Sequence, residues 1–355
     1  MRVLFVVGHP AHVHLFKNVV RVLQSHGHEI LVGAVAREVT TRLLDAYGIP
    51  YFVFGSPQPE IVSKALGIVP KDLSLLQNAR QFRPDVLVST GSPYAAQVSA
   101  VLDQPHLAFG DTEHATLIAR LMLPFTDAVC TPDVFEGDLG PKHVRYRGYK
   151  ELAYVHPKYF QPDPESLDRI GLSRKEPYVL LRFASWDASH DLGDRGFHFA
   201  GIDEAVAFVR EIEAIGRVIV TSERKPVSQL APYTLPIPPE RMHDVIAFSR
   251  LYVGEGATMA AEAGVLGVPW IFVSTRGRGF LTDQQKRYGL GFWVRDLDEA
   301  RRALPSVSGS GVLDEWKRRR DRMLSEKEDV VEFISNFVET WGVRPSPRVP
   351  RAVGS

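Results

Sequence analysis

Two segments carry the side chains best suited to chemistry, and each directly follows a short apolar run. The first, Gly8–His14, contains three histidines, His9, His12 and His14, within six residues. Because imidazole titrates near neutral pH, this segment offers a general base that can take a proton from a hydroxyl nucleophile. Helix capping or packing is the alternative role for any one of the three.

The second segment, Gly254–Glu262, reads GEGATMAAE and leads from an apolar run into a predicted helix. Small residues allow a backbone to approach phosphate oxygens at a helix N-terminus, while Thr258 offers a hydroxyl and Glu262 an acceptor for a sugar hydroxyl. The other predicted contact residues are Gly254, Gly256 and Ala257. A Gly-x-Gly turn also serves plain strand-to-helix packing, and the Gly-Lys-Ser/Thr ending of a P-loop ATPase is missing.

Two carboxylates, Asp111 and Glu113, follow the apolar run His106–Phe109, so we predict that they project toward the same edge as the histidines. Catalysis or ligand binding is one interpretation, and capping of a following helix is the other.

Further polar candidates lie in the second half of the chain. Arg182 ends a predicted strand and suits bidentate pairing with a diphosphate, although a structural ion pair explains it equally well. The segment after it adds Ser185 and His190. Gln284 and Gln285 offer amides to sugar hydroxyls, with a surface turn as the alternative.

The elements that must position these residues alternate between strands and helices in two series. Such alternation predicts βαβ units and doubly wound parallel sheets, in which ligands bind beyond the carboxyl ends of the strands. A Pro-rich stretch, Pro157–Pro164, separates the series. We predict Rossmann-like domains over 1–160 and 161–312, an amphipathic helix over 313–342 that packs against another element, and a disordered tail over 343–355.

Composition excludes several classes of protein. The 355 residues balance 42 Lys+Arg against 42 Asp+Glu, so no net field favours nucleic acid or an anionic membrane. No apolar run approaches the roughly 20 residues of a membrane span. A single Cys130 and the lack of zinc-like spacing favour a reducing compartment and no metal site, so we expect a cytoplasmic protein; a homodimer stays open.

Several motifs resemble the GT-B superfamily. Gly8–His14 with HGHE (26–29), and Gly254–Glu262 with LGVP (266–269), look like MurG-like N-acetylglucosaminyltransferases and UDP-N-acetylglucosamine 2-epimerases. More narrowly, the chain resembles an uncharacterised bacterial and archaeal family of that superfamily. The motifs that carry this second resemblance are HVHLFKN (12–18), DTEHA (111–115), YVLLRFASWDASHD (178–191) and EGATMAAEAGVLGVP (255–269).

The resemblance implies a GT-B fold, in which two Rossmann-like domains face a cleft and a C-terminal helix crosses back. By position it places His12 opposite the acceptor hydroxyl, Glu262 against the ribose, and Gln284 and Gln285 on the donor sugar. Gly256, Ala257 and Thr258 would lie beside the diphosphate. The first loop departs from the transferase pattern, since Gly8-His9-Pro10-Ala11 replaces a Gly-Gly-x-Gly-Gly loop, and the epimerase signatures are missing.

The resulting hypothesis is a glycosyltransferase that uses a nucleotide diphosphate sugar, with a UDP-sugar favoured, and needs no metal or other cofactor. The acceptor is a glycan, lipid or small molecule, and His12, Glu113 or Asp111 is the base. One alternative is an epimerase or hydrolase in which Asp111, Glu113 and His190 handle protons. The other is a protein that binds a nucleotide sugar without catalysis.

Overall fold

The computed structural model describes residues 1–56, 68–111, 120–173, 175–183, 196–222 and 227–343. The chain forms two compact units. Unit 1 contains Met1–Tyr154 and Asp329–Ser355, and unit 2 contains Val155–Glu328. The chain therefore leaves unit 1 directly after Tyr154, whereas the sequence analysis predicted the first domain boundary after residue 160.

Unit 1 is built on a seven-stranded sheet in which all neighbouring strands run parallel. Its strands are β1 (Arg2–Val7), β2 (Glu29–Val35), β3 (Tyr51–Gly55), β4 (Val86–Ser89), β5 (His106–Phe109), β6 (Ala128–Pro132) and β7 (His143–Tyr146). The strand order is β3-β2-β1-β4-β5-β6-β7, so the winding direction reverses between β1 and β4. In open parallel sheets, ligands bind at the carboxyl ends of the strands at such a reversal.

The central strands of unit 1 are buried, which is why continuous apolar runs in the sequence predicted them. Val3, Leu4 and Phe5 are fully buried, as expected for a strand covered by helices on both faces of a parallel sheet. The helices described between residues 1 and 155 are α1 (Pro10–Ser25), α2 (Glu38–Ala46), α3 (Ile68–Phe82), α4 (Pro93–Leu102) and the single turn α5 (Leu152–Val155). A 3-10 turn spans Leu123–Phe125.

Unit 2 is built on a five-stranded parallel sheet of order β12-β11-β10-β8-β9. Its strands are β8 (Tyr178–Phe183), β9 (Arg217–Ser222), β10 (Leu251–Gly254), β11 (Trp270–Val273) and β12 (Gly291–Val294). Its helices are α6 (Glu165–Asp168), α7 (Ile202–Glu213), α8 (Met242–Phe248), α9 (Ala257–Leu266), α10 (Gly279–Lys286), α11 (Leu297–Ser308) and α12 (Val312–Glu326), with 3-10 turns at Ser228–Tyr233 and Pro239–Arg241. The winding reverses between β8 and β10, so Arg182 and Gly254 end the two strands at this point.

The last predicted helix is two helices. α12 ends at Glu326, and α13 (Val330–Val343) begins after Asp329, whose carboxylate accepts hydrogen bonds from two backbone N–H groups of the first turn. α12 belongs to unit 2, whereas α13 belongs to unit 1 and packs the rings of Phe333 and Phe337 on Tyr146 and Phe109. The predicted single segment 313–342 is thus corrected, because an Asp N-cap interrupts a continuous amphipathic pattern.

Several elements gave no usable sequence signal. β7 and β12 are edge strands with half-exposed residues, so neither shows a continuous apolar run. α4, α10 and α11 went unrecognised for other reasons: α4 is rich in small residues, the eight-residue α10 begins with Gly279, and α11 contains Pro305. Gln284 and Gln285 therefore lie on a helix and not in a loop or surface turn. The predicted tail residues 344–355 lie outside the described residues.

Candidate functional site

The turn between β1 and α1 is tighter than the sequence suggests. α1 begins at Pro10, so His12 and His14 lie on its first turns and only His9 precedes it, which corrects the expectation of a loop up to His14. His9 has an extended backbone, and its Nδ1 accepts a hydrogen bond from the Ala11 N–H (3.2 Å), so it acts as the N-cap.

His12 is held in one tautomer by the backbone. The Gly8 N–H donates to Nδ1 of His12 (3.2 Å), so a neutral ring carries its proton on Nε2. Burial of the ring, aided by the positive charges of His9, Lys150 and Arg37, lowers the pKa of His12 to about 3. A neutral ring with Nδ1 occupied is a hydrogen-bond donor at Nε2 rather than a strong base. This geometry favours a binding role over proton abstraction for His12.

His14 packs inside unit 1. It is 8% exposed, its ring stacks on Tyr154 (5.3 Å between centroids), and its Nδ1 lies 3.2 Å from the Tyr47 hydroxyl. The structure therefore gives His14 the packing role that the sequence left as an alternative.

An ion pair lies at the same carboxyl edge of the sheet. Asp111, two residues past β5, contacts the ammonium of Lys150 at 2.6 Å, and both side chains are largely buried. Lys150 follows β7 and its charge acts on His12, so it links the two predicted catalytic positions, His12 and Asp111. Lys150 was missed in the sequence because its strand, β7, was not recognised.

The loop after β4 rests on a buried hydrogen-bond network. The Ser89 Oγ accepts from the N–H groups of Gly91 (3.2 Å) and Ser92 (3.0 Å), and lies 2.9 Å from Nε2 of the fully buried His106. Nδ1 of His106 lies 2.9 Å from the hydroxyl oxygen of Thr126, which donates to the Met122 carbonyl. Full satisfaction requires a neutral His106 that donates through Nδ1 and accepts from Ser89 through Nε2.

In unit 2, the turn between β10 and α9 is shaped by its glycines. A Cβ on Gly254 would lie 2.6 Å from the Arg182 carbonyl oxygen, and one on Gly256 would lie 2.8 Å from the Tyr252 hydroxyl. That hydroxyl donates to the Gly256 carbonyl (3.0 Å), and burial raises its pKa. Both glycines are therefore required by close packing, which is one of the two interpretations of the Gly-x-Gly turn given in the sequence analysis.

The first turn of α9 has features that favour anion binding. Gly256 is the N-cap and provides no side-chain cap, and residues 255–259 are half-buried. The first N–H groups of a helix have no intrahelical acceptor, and together with the helix dipole they favour an anion. The Arg182 side chain lies alongside, since its Cγ would be 3.6 Å from a Cβ on Gly256.

Glu262 and the glutamines have partners inside unit 2. Glu262 is 4% exposed, and its Oε1 lies 3.2 Å from Nε2 of His243 on α8. Gln284 is fully buried; its Oε1 accepts from Trp270 Nε1 (3.1 Å) and its Nε2 donates to the Ala261 carbonyl (3.2 Å). Because the side chain is fully buried between these partners, it does not reach the surface where a sugar would bind. Gln285, half-buried, accepts from the Trp293 N–H (2.7 Å).

Three predicted site residues, Glu113, Ser185 and His190, lie outside the described residues. Within the described ranges, no group of three or more His, Cys, Asp or Glu side chains has the arrangement of a metal site. In the same part of the chain, no helix combines the length and apolar character needed to cross a membrane.

The architecture matches solved structures along nearly the whole chain. A UDP-GlcNAc 2-epimerase from Neisseria meningitidis bound to UDP-GlcNAc is 13% identical, with a TM-score of 0.66 and coverage of 96% of this chain and 100% of the other. The glycosyltransferase SsfS6 from Streptomyces sp. SF2575 is 18% identical, with a TM-score of 0.60 and coverage of 96% and 99%. At these identities the likeness shows the fold, which is GT-B as the motifs predicted.

Sequence comparison gives one relative and one family. An uncharacterized protein from Methanocaldococcus jannaschii is 21% identical over 271 residues, which cover 73% of this chain and 78% of the relative. A family described as protein of unknown function, DUF354, matches residues 2–286. The chain is therefore a member of the DUF354 family and has the GT-B fold.

Proposed function

We propose that this protein is a glycosyltransferase that transfers a sugar from a nucleotide diphosphate sugar, with UDP as the favoured nucleotide, to an acceptor bound by unit 1. The observation that carries the proposal is the uncapped, half-buried N-terminus of α9 at the winding reversal of unit 2, beside Arg182. Two solved structures of this fold are a glycosyltransferase and a UDP-GlcNAc 2-epimerase, which supports a nucleotide-sugar ligand.

In this proposal the diphosphate accepts hydrogen bonds from the N–H groups of Ala257 and Thr258. Arg182 supplies the positive charge that balances the leaving diphosphate, so no metal is needed. Glu262 accepts from the ribose hydroxyls, which requires its carboxylate to be shared with His243.

In the proposed transfer step, residues at the carboxyl ends of the unit 1 strands act on the acceptor. The acceptor oxygen attacks the anomeric carbon of the donor, the bond from that carbon to the diphosphate oxygen breaks, and UDP leaves with the electron pair. The acceptor proton passes to a carboxylate, for which Asp111 is our candidate among the described residues. Lys150 orients Asp111 through their 2.6 Å contact, and His12 donates from Nε2 to an acceptor oxygen.

A backbone substitution tests the donor site directly. Ala257 is the first residue of α9, and Gly256 before it is extended (φ −88°, ψ 98°), so proline fits at 257 without strain. Ala257→Pro deletes one N–H and should weaken UDP binding by about tenfold in calorimetry, the equivalent of one charge-assisted hydrogen bond. The control Ala257→Gly keeps the N–H and should bind like the wild type.

A side-chain pair extends the same test. Arg182→Ala should weaken UDP binding by roughly 10- to 100-fold, the range for hydrogen bonds to charged groups. Arg217 starts β9 at the amino end of the sheet, so Arg217→Ala should leave UDP binding unchanged. Equal affinities in the Ala257→Pro variant and the wild type would place the nucleotide elsewhere.

Epimerisation is the second candidate, because one structural neighbour is a UDP-GlcNAc 2-epimerase. Incubation with UDP-GlcNAc and no acceptor separates the reactions. A changed sugar, or free UDP and free sugar, would identify an epimerase or hydrolase. A transferase should release UDP only when acceptor is present, and Asp111→Asn should then reduce kcat while UDP affinity is kept. Tight UDP binding with no turnover would indicate a binding protein.

A further inference from the structure

One buried cation in unit 1 has no role in the site described so far. Lys71, near the start of α3, is 8% exposed. Its stem covers the end of β3, where a Cβ on Gly55 would lie 2.6 Å from Lys71 Cγ. Its ammonium lies 5.5 Å from the ring centroid of Tyr94, the second residue of α4. A lysine is rarely this buried without a carboxylate partner.

A second cation lies beside Lys71. Arg37 follows β2, and the residue before it, Ala36, donates its N–H to the Gly55 carbonyl (2.7 Å), so the ends of β2 and β3 are joined next to Lys71. Burial and the charge of Arg37 both lower the pKa of Lys71. Among the described residues, no carboxylate forms an ion pair with either Lys71 or Arg37.

The local backbone adds to this positive field. Arg37 is the N-cap of α2, with no side-chain cap, and Lys71 is the fourth residue of α3. Helix N-termini carry partial positive charge, so a cation at either position is unfavourable unless an anion is bound. The nearby carboxyl group of Asp72 offsets only part of this charge: burial raises its pKa to about 6, so it is mostly ionised at pH 7, but among the described residues it forms no ion pair with Lys71.

We propose that Lys71 and Arg37 form a phosphate-binding subsite at the carboxyl ends of β2 and β3. Two positive charges match the −1.5 to −2 charge of a phosphate monoester near pH 7 better than they match a carboxylate. β2 is the neighbour of β1, so the subsite lies one strand away from the His12 turn. If the proposed transfer is right, the acceptor carries a phosphate group; the subsite itself does not depend on that function.

The test measures the Tm of the wild type and variants by thermal unfolding, with inorganic phosphate as the ligand. In phosphate-free buffer, Lys71→Met should raise the Tm, because an apolar side chain of similar size removes a charge that is partly desolvated and has no ion pair among the described residues. Phosphate should raise the Tm of the wild type with saturation and should raise that of Lys71→Met much less. Arg80→Met, on the exposed C-terminal part of the same helix, should behave like the wild type. Acetate should stabilise the wild type less than phosphate does.

Two outcomes would overturn the subsite. A lower Tm for Lys71→Met in phosphate-free buffer would show that Lys71 already has a counter-ion within the chain. An equal phosphate response in Lys71→Met and the wild type would show that phosphate binds elsewhere. The donor site is separable, because Ala257→Pro should keep the phosphate response that depends on Lys71, and Lys71→Met should keep UDP affinity. Failure of one site therefore does not imply failure of the other.

Discussion

Acid should destabilise unit 1 through His106. This side chain is fully buried, and burial lowers its pKa from 6.5 to about 3. Between these two values the unfolded chain binds a proton that the folded chain excludes, so stability falls as the pH drops from 6.5 toward 3. Between pH 7 and pH 5 the unfolded histidine becomes protonated mainly below its pKa of 6.5, so the effective interval is about 1.4 pH units. At 1.36 kcal/mol per unit, the free energy of unfolding falls by about 2 kcal/mol.

The structure gives the physical reason and the variant. The Ser89 oxygen already accepts two N–H bonds, so its hydrogen points at Nε2 of His106 and leaves no acceptor for a second imidazole proton. His106→Asn keeps a donor toward Thr126 but removes the titrating ring. The variant should be less stable at pH 7 by roughly 1–3 kcal/mol, since the Ser89 hydroxyl loses a buried partner.

Urea unfolding at pH 7 and pH 5 measures the acid-dependent loss of stability in the wild type and the lower stability of His106→Asn. Hydrogen exchange detected by mass spectrometry assigns the unfolding transition to unit 1. The difference in unfolding free energy between the wild type and His106→Asn should be about 2 kcal/mol smaller at pH 5 than at pH 7, because only the wild type loses stability through this proton. His12 contributes in the same direction but is present in both proteins and cancels. The control His198→Asn, at an exposed position with φ 53°, should follow the wild type. A gap that stays constant with pH would refute the reasoning.

Two further predictions concern unit 2. A Cβ on Gly264 would lie 2.1 Å from Gln284 Oε1, so Gly264→Ala should displace that amide and cost about 3 kcal/mol in urea unfolding, whereas Gly309→Ala, whose Cβ meets its nearest neighbour at 3.6 Å, should cost little. The Lys327 side chain is 2% exposed and pairs with Asp283 at 2.9 Å, so Lys327→Met should cost about 3 kcal/mol, and adding Asp283→Asn should recover part of that loss; no recovery would mean that the two charges do not interact.

The sequence reached the fold because the central strands are buried on both faces. Val3–Val7 and Leu251–Gly254 are continuous apolar runs ended by glycine, and such runs are readable from residue type alone. The same runs place Gly8 and Gly256 at the carboxyl ends of the strands, where both winding reversals occur. Edge strands such as β7 lack this signal, and with β7 the sequence also missed Lys150.

Residue type and spacing by themselves therefore determined the two parallel sheets, the GT-B resemblance and the start of α9 as the anion site to test. Only the tertiary structure decided how individual polar groups are used: Gln284 is buried on Trp270, and the Gly8 N–H fixes the tautomer of His12. It also brought Lys71 and Arg37 together from separate elements. The physical reason is that hydrogen-bond partners and uncompensated charges are set by neighbours distant in sequence, which apolar periodicity does not encode.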